Sequence, residues 1–378
     1  MKAMQAAFEQ LDFHRSGDNG YHVFRIPGLI TTRQGTVMAW YDARKGRGGD
    51  WDPIDILMRR SLDNGATWEE ARLLVGHNQF GVMQPINNLI LISDAHTGEI
   101  HVLFCVNYET LYYMKSADEG LTFTEAVNIT TVMEGFRSEY DWRVIATGPG
   151  HGLQHSNGRL IVPVWMSTGE GQEFQDPTKK GHRPSDLSVI YSDDHGQTWE
   201  RGDFVARTRD GYLHPNETVA VELSDGRVLF NIRTEQDTYR RLISISPDGA
   251  RDWGTPYYDE ALEEPICFGS ILRLPPGETG GTQPILFVNP SDLSRPASVW
   301  KISDRLSVQT YQRRGLTLKV SFDDCRTWTV RKTIWLEGAQ YSDLTLASDG
   351  SILCLYERGD ATGWYLTLAR FNREWMLE

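Results

Sequence analysis

One motif recurs down the chain and limits what the chain can become. At Ser61 the sequence reads SLDNGATW, at Ser116 SADEGLTF, at Ser192 SDDHGQTW and at Ser321 SFDDCRTW. The shared pattern is S-x-D-x-G-x-T-W/F. Cys325 takes the glycine's place in the last copy, and a degraded fifth copy, SPDGARDW, begins at Ser246. One occurrence could be chance; four are not. The physics of the repeat is a hairpin turn. Its aspartate accepts hydrogen bonds from the turn's backbone amides, its glycine supplies a positive-φ position, and its aromatic residue packs into the sheet. These residues are therefore read as turn stabilisers, not ligands. A unit of about 40–50 residues plus loops is what a four-stranded propeller blade needs, so this spacing gives about six blades. The expected architecture is all-β, a six-bladed β-propeller, with residues 1–378 forming one domain.

The rest of the sequence agrees. Helical periodicity is scarce, whereas short β-rich runs such as TVMAWYDA, NLILISDA, IHVLFCV, RLIVPVW, RVLFNIR and SILCLYE recur between Gly, Asn, Asp or Pro. No Ser/Gly-rich or Pro-rich linker divides the chain. The polar stretch 170–183 (EGQEFQDPTKKGHR) reads as a surface loop. A closed ring removes long exposed edges and aims strand ends at one central pocket.

Composition excludes several function classes. With 38 basic against 51 acidic residues and a net charge of −13, the chain lacks the basic field of a nucleic-acid or anionic-lipid binder. Four cysteines in 378 residues are no disulfide scaffold. Cys105 and Cys354 lie in apolar runs and read as buried thiols. There is no zinc-type Cys/His spacing, phosphate-binding loop or G-x-S-x-G elbow, so no metal or cofactor is expected. No apolar run reaches 18 residues, and the N-terminus MKAMQAAFEQLDFHRSG has no signal-peptide core, so the chain as given is expected to be cytoplasmic.

Several residues could carry chemistry. Arg25 opens an apolar strand (VFRIPGLI), Arg233 ends one (VLFNIRTE), and Arg313 and Arg314 precede another (LTLKVS). Taken singly, each reads as a snorkelling surface arginine. Converging on a propeller axis, they would present planar donor forks to a carboxylate. Glu217 (HPNETVAVEL) and Tyr341 (GAQYSDLTL) both precede strands, and Asp50 closes the Gly-rich loop RKGRGGD. Their bland alternatives are a turn carboxylate, a core-edge tyrosine and a loop aspartate. Asp52 and Asp55 are competitors of Asp50; Asp55 alternates with apolar residues and reads as structural.

FRIP at residues 24–27, the repeated Asp boxes, GPGHG at 148–152, NE at 216–217, NIR at 231–233 and YSDL at 341–344 together resemble the sialidase (neuraminidase) family, glycoside hydrolase family 33 type. The resemblance runs from about residue 20 to about residue 370, nearly the whole chain. It implies a propeller that cleaves a terminal α-ketosidic sialic acid with retention, using a tyrosine nucleophile. On this resemblance Arg25, Arg233 and Arg313 (Arg314 as fallback) grip the substrate carboxylate. Tyr341 is the nucleophile, Glu217 takes its proton, and Asp50 is the general acid/base. Arg44 contacts the sugar, and Glu357 in LYERG holds Arg25 in place. The logic is consistent: a carboxylate nucleophile would be repelled by the substrate's own carboxylate, so a neutral hydroxyl with an adjacent base is better. In an acidic chain, clustered arginines concentrate the positive charge an anion needs.

The sequence departs from the pattern at two places. Gln84, after Met83 in GVMQPI, stands where an acidic residue commonly reads the sugar's C4/N5 side. Phe268 stands where a polar residue is common. Both leave the expected chemistry intact and open the acyl specificity to a related 2-keto-3-deoxy sugar acid. The expected partner is a glycan or small-molecule substrate, with no nucleic acid and no membrane. A non-catalytic Asp-box propeller for binding or scaffolding would share the boxes but need not keep the arginines, the tyrosine or the acids. Their joint presence favours the enzyme. A trans-glycosylase would use the same residues and differ in how an acceptor sugar competes with water.

Overall fold

A computed structural model describes residues 5–81, 83–171, 179–276, 283–301 and 307–378. Of the polar stretch 170–183, residues 172–178 lie outside this description. The N-terminal strand β1 (Phe8–Arg15) leads into a four-stranded antiparallel sheet of β2 (Val23–Thr31), β3 (Val37–Arg44), β4 (Ile54–Ser61) and β5 (Arg72–Val75), in that order. A second sheet follows with β6 (Ile86–Ser93), β7 (Ile100–Val106), β8 (Thr110–Ser116) and β9 (Val127–Asn128). The third combines β10 (Val144–Thr147), β12 (Leu153–Gln154), β13 (Leu160–Ser167), β14 (Ser185–Ser192), β15 (Glu200–Arg201) and β16 (Ala206–Arg207), while the short β11 (Gly150–His151) pairs parallel with β6. The fourth is β17 (Thr218–Glu222), β18 (Val228–Ile232), β19 (Arg240–Ser246) and β20 (Tyr257–Glu263).

The last large sheet has seven strands. It contains β21 (Ser270–Arg273), β22 (Ile285–Pro290), β25 (Arg314–Ser321), β26 (Val330–Leu346), β27 (Ile352–Asp360), β28 (Gly363–Phe371) and, beyond β28, the N-terminal β1. The 17-residue β26 pairs with β25 through Val330–Gly338 and with β27 through Gly338–Leu346. Between β22 and β25, β23 (Pro296–Lys301) and β24 (Ser307–Tyr311) form a separate ribbon.

This is an all-β, propeller-like arrangement. Strands such as β3, β7 and β13 are buried along their whole length. That is what continuous apolar runs imply when each sheet is covered on both faces. Apolar clusters lie between consecutive sheets and run round the molecule. Within the seven-stranded sheet Leu318 of β25 shares a cluster with Leu344 of β26; between sheets, Trp40 and Met58 cluster with Phe104, Leu103 and Cys105 with Val162, Val189 with Phe230, Val219 with Phe287, and Leu353 and Leu366 with Val37. The last contact joins the final sheet to the first.

The Asp boxes are turns, as their composition requires. In the first, Ser61 Oγ donates to Asp63 Oδ1 (2.8 Å) and accepts from Gly65 N (2.8 Å). Asp63 accepts from Thr67 N (2.8 Å) and Thr67 Oγ1 (2.6 Å). The same network recurs from Ser116, Ser192 and Ser321. Cys325 fills its glycine position at φ 65°, the left-handed region that favours glycine. In the degraded copy, Asp248 accepts from Ala250 N and Arg251 N (both 2.9 Å).

Register fixes the polarity of the sheets. In the first, Arg44 lies opposite Ile54 at one end and Val37 opposite Ser61 at the other. The third repeats this, with Ser167 opposite Ser185 and Leu160 opposite Ser192. The boxes therefore sit at the end of the molecule opposite Arg44.

Candidate active site

The end opposite the boxes holds a cavity of about 1260 Å³, whose lining includes Arg25, Arg44, Asp50, Glu217, Arg233, Arg313 and Tyr341. Arg25 is in β2, Arg44 in β3 and Asp50 in the loop after it; Glu217 immediately precedes β17, Arg233 follows β18 and Arg313 precedes β25, while Tyr341, expected before a strand, lies within β26 because that strand runs on past its first partner. Residues more than 300 apart in sequence thus face one space.

Tyr341 is at its centre. Its hydroxyl donates to Glu217 (2.7 Å to Oε1 and 2.6 Å to Oε2) and accepts from Arg233 Nη1 at 2.8 Å. Arg233 also pairs with Glu217. The guanidinium carbons of Arg25 and Arg313 lie 5.2 and 5.6 Å from the Tyr341 ring centroid. Burial holds the Tyr341 phenol well above its ordinary pKa. Arg233 pulls it down, Glu217 pushes it up and Arg313 pulls it down again, and burial prevails. The free chain therefore carries a neutral phenol with the Glu217 side chain already at its oxygen.

Arg25 and Arg313 are fixed from behind. Arg25 Nε donates to Glu357 Oε2 (3.1 Å) and Nη2 to Gln340 Oε1 (2.9 Å), while Ile26 N donates to Glu357 Oε1 (2.9 Å). Ile26 adopts φ 51°, a costly conformation for a β-branched residue, at the bulge between Arg25 and Gly28. Arg313 Nη2 donates to the carbonyl of Ile266 (2.7 Å), another left-handed isoleucine at φ 55°. Arg314 pairs with Asp292 (2.9 Å) and Glu337 (3.2 Å) and is absent from the described lining. Behind Arg233, the fully buried Arg241 bonds Asn231 Oδ1 (2.6 Å) and Glu264 (3.3 Å).

Across the cavity, Arg44 Nη1 donates to Asp50 Oδ1 (2.6 Å), and its Nε and Nη2 grip the buried Asp42 (3.1 and 2.9 Å). Burial works to raise the Asp50 pKa, but Arg44, His182 and Arg25 outweigh it and hold the carboxyl well below the usual range. Its side chain remains 40% exposed toward the cavity. Asp52 instead accepts from Arg47 N (2.8 Å) and Gly49 N (2.9 Å), shaping the loop. Asp55 accepts from Tyr21 Oη and His77 N (both 2.8 Å). Neither lines the cavity.

Met83 and Gln84 are not brought to the lining among the described residues. Met83 is exposed, at φ 56°, and Gln84 N donates to the His77 carbonyl (2.9 Å). Phe268 is fully buried, its ring 5.4 Å from that of Tyr341.

Sequence reasoning missed the aromatic wall. Tyr108, Trp165 and His182 line the cavity beside Asp50, with His182 to Tyr108 at 4.9 Å and His182 to Trp165 at 5.6 Å between ring centroids. Trp300 carries Arg183 over its ring at 4.9 Å, and Arg183 pairs with Glu235 (Nη2 to Oε1, 2.7 Å). No motif marks these residues. Gln340 alone had a signal, as the neighbour of Tyr341.

Comparison with known proteins adds kinship to geometry. The profile of the BNR repeat-like domain matches residues 35–354. A sialidase of Micromonospora viridifaciens is 29% identical over 392 residues, spanning 98% of this chain and 54% of that protein. A sialidase of Bacteroides fragilis (strain YCH46) is 26% identical over 372 residues, spanning 90% of this chain and 61% of that protein. The chain thus covers less than two thirds of either relative. Among solved structures, the Hadza microbial sialidase Hz136 superposes with a TM-score of 0.78 at 23% identity, covering 97% of this chain and 69% of that one, a likeness of fold. No helix among the described residues is long and apolar enough to cross a membrane.

Proposed function

The chain belongs to the BNR repeat-like domain family, and from that membership we propose a retaining exo-glycosidase that hydrolyses a terminal α-ketosidically linked sialic acid or a related 2-keto-3-deoxy sugar acid. The observation that carries this is the buried Tyr341 hydroxyl held between Glu217 and Arg233, with Arg25 and Arg313 beside its ring. The fold assigned with it is a six-bladed propeller formed by the chain as one domain. If β26 is divided at Gly338, the seven-stranded sheet becomes two blades, and six inter-sheet clusters close the ring.

The chemistry follows from the charges. Arg25, Arg233 and Arg313 receive the substrate carboxylate and place the anomeric carbon near Tyr341 Oη. Glu217 takes the phenolic proton as that oxygen attacks, so no free phenolate is needed in a buried site. The glycosidic oxygen leaves with a proton from Asp50, giving a glycosyl-tyrosine. In the second half, Asp50 takes a proton from water, the water oxygen attacks the anomeric carbon, and the phenol recovers its proton from Glu217.

Asp50 is ionised in the free chain, whereas its first step needs the acid. An incoming carboxylate occupies the field of Arg25, one of the three groups depressing Asp50, and excludes water from its exposed face. Both changes raise its proton affinity. Arg44 orients this group and Glu357 positions Arg25, whereas Met83 and Gln84, which do not line the cavity, are given no contact with the sugar.

The test is Tyr341→Phe assayed on a 4-methylumbelliferyl sialoside. Hydrolysis should fall to near background with the melting temperature preserved; unchanged turnover would falsify the nucleophile assignment. A release assay over 2-keto-3-deoxy sugars and linkages, with products identified by mass, identifies the sugar.

A further inference from the structure

The Asp boxes have a feature that turn chemistry does not need. The residue before their fifth position is left-handed in all four: Asn64 (φ 59°), Glu119 (57°), His195 (57°) and Asp324 (58°). In the last three its side chain crosses to the first hairpin of a preceding sheet. Glu119 accepts from Thr32 in the β2–β3 hairpin, and Asp324 accepts from Ser224 in the β17–β18 hairpin (3.1 Å from its N). His195 Nδ1 meets Asp94 Oδ2 in the β6–β7 hairpin at 2.6 Å. Only this third latch is imidazole against carboxylate, and a second imidazole, His96, stands beside it. The His96 and His195 ring centroids are 5.8 Å apart.

One ligand atom each from Asp94, His96 and His195 lies within 4.8 Å of the others. Asp94 is fully buried and already aimed. Its Oδ1 accepts from His96 N (2.7 Å), Thr97 N (3.1 Å) and Gln154 Nε2 (2.8 Å), which turns Oδ2 toward the imidazoles. Behind it, His101 Nε2 lies 3.5 Å from Oδ2, and its Nδ1 is held by the Tyr113 hydroxyl (2.8 Å). Outer-shell hydrogen bonds of this kind fix ligand orientation at metal centres.

We propose that Asp94, His96 and His195 form a site for a divalent transition ion of the zinc class, pinning the second sheet to the third. Two imidazole nitrogens and one carboxylate oxygen suit zinc, nickel or copper, whereas calcium and magnesium prefer all-oxygen shells. Bonds of about 2.0–2.2 Å require the donors to close up. His96 is exposed and can rotate inward, and it leaves a fourth position for water. On metal entry the Nδ1 proton that His195 holds against Asp94 leaves to solvent, Nε2 takes up a proton in its place, and the freed Nδ1 lone pair goes to the ion, replacing the hydrogen bond to Asp94. The site is remote from the cavity. Asn88, which lines the cavity, and Asp94 stand at opposite ends of β6, roughly 20 Å apart at about 3.3 Å per residue. His195 lies 101 positions from Asp94, which is why no spacing motif shows the trio.

The experiment strips the full chain with a chelator, dialyses it, and titrates it with zinc chloride, with magnesium and calcium chlorides as controls. We expect one zinc bound per chain by calorimetry and metal analysis. Zinc, and not magnesium or calcium, should raise the melting temperature, and glycosidase turnover should not change. His96→Ala and His195→Asn should each weaken zinc binding at least ten-fold and remove the zinc-dependent shift. Asn tolerates the left-handed backbone at 195, and the exposed His96 can be truncated without loss of metal-free stability, so at least one variant reports on a folded chain. Absence of saturable zinc binding overturns the proposal, as does zinc binding that survives both substitutions.

Discussion

At the residue scale, the donors of Arg25 are divided by function. Nε and Nη2 are committed to Glu357 and Gln340, leaving Nη1 for a ligand. Lysine offers one point charge and cannot serve both sides. Arg25→Lys is therefore expected to raise KM roughly 10- to 100-fold, the loss of one charge-assisted hydrogen bond of about 1.5–3 kcal/mol, with a smaller change in kcat. Product-anion binding by calorimetry checks it, and unaltered binding would remove Arg25 from the carboxylate grip. Asp50→Ala should slow substrates with alkyl sugar leaving groups by about 10²–10⁴ and spare activated aryl glycosides, since an aryloxide departs without a proton. Equal losses on both would deny Asp50 the acid role. The polar site was legible in sequence because Arg25, Glu217 and Tyr341 sit in short, distinctive strings. Arg313 and Arg314 were not separable there: adjacent residues point opposite ways, and only folding shows that Arg314 is engaged by Asp292 and Glu337. The wall of Tyr108, Trp165 and His182 was invisible for another reason, since aromatic residues are common in any β-rich core.

At the element scale, the box serine is the buried part of the turn. Ser116 Oγ donates to Asp118 Oδ1 (2.8 Å) and accepts from Gly120 N (2.9 Å). Ser116→Ala leaves a buried amide without its acceptor, which costs about 1–3 kcal/mol. The urea midpoint should fall with an unchanged slope if the loss is local; a full-stability variant would show that the serine is dispensable. The turns were readable because S-x-D-x-G-x-T prescribes its own hydrogen bonds within seven residues. The latches from the fourth box position to the neighbouring hairpin were not, because they join segments about 90–100 residues apart whose partners follow no shared pattern. The double pairing of β26 was hidden similarly: its seventeen residues form one strand that serves two neighbours, one on each half.

At the scale of the whole molecule, the sheets converge on one buried carboxylate. Asp343 accepts from Leu29 N in β2 (2.8 Å), Ser270 Oγ in β21 (2.6 Å) and His151 Nδ1 in β11 (2.8 Å), and it is itself in β26, two residues from Tyr341. Four segments that are distant in sequence are tied at one point beneath the nucleophile. Burial works to lower the His151 pKa, but the Asp343 charge and hydrogen bond outweigh it, so the folded pKa lies above the ordinary value. A raised histidine contributes stability that is fully present below its unfolded pKa of about 6.5 and is lost as pH rises through the higher folded value. The difference in unfolding free energy between the parent and His151→Gln should therefore be largest near pH 6 and shrink toward pH 9, as read from urea unfolding at each pH. The comparison isolates this residue from His14, whose pKa burial lowers to about 4 and whose contribution runs the other way, disappearing as pH falls below about 6.5. A difference that stays constant across the range would mean that the hub is held by hydrogen bonds alone, with no charge on the imidazole.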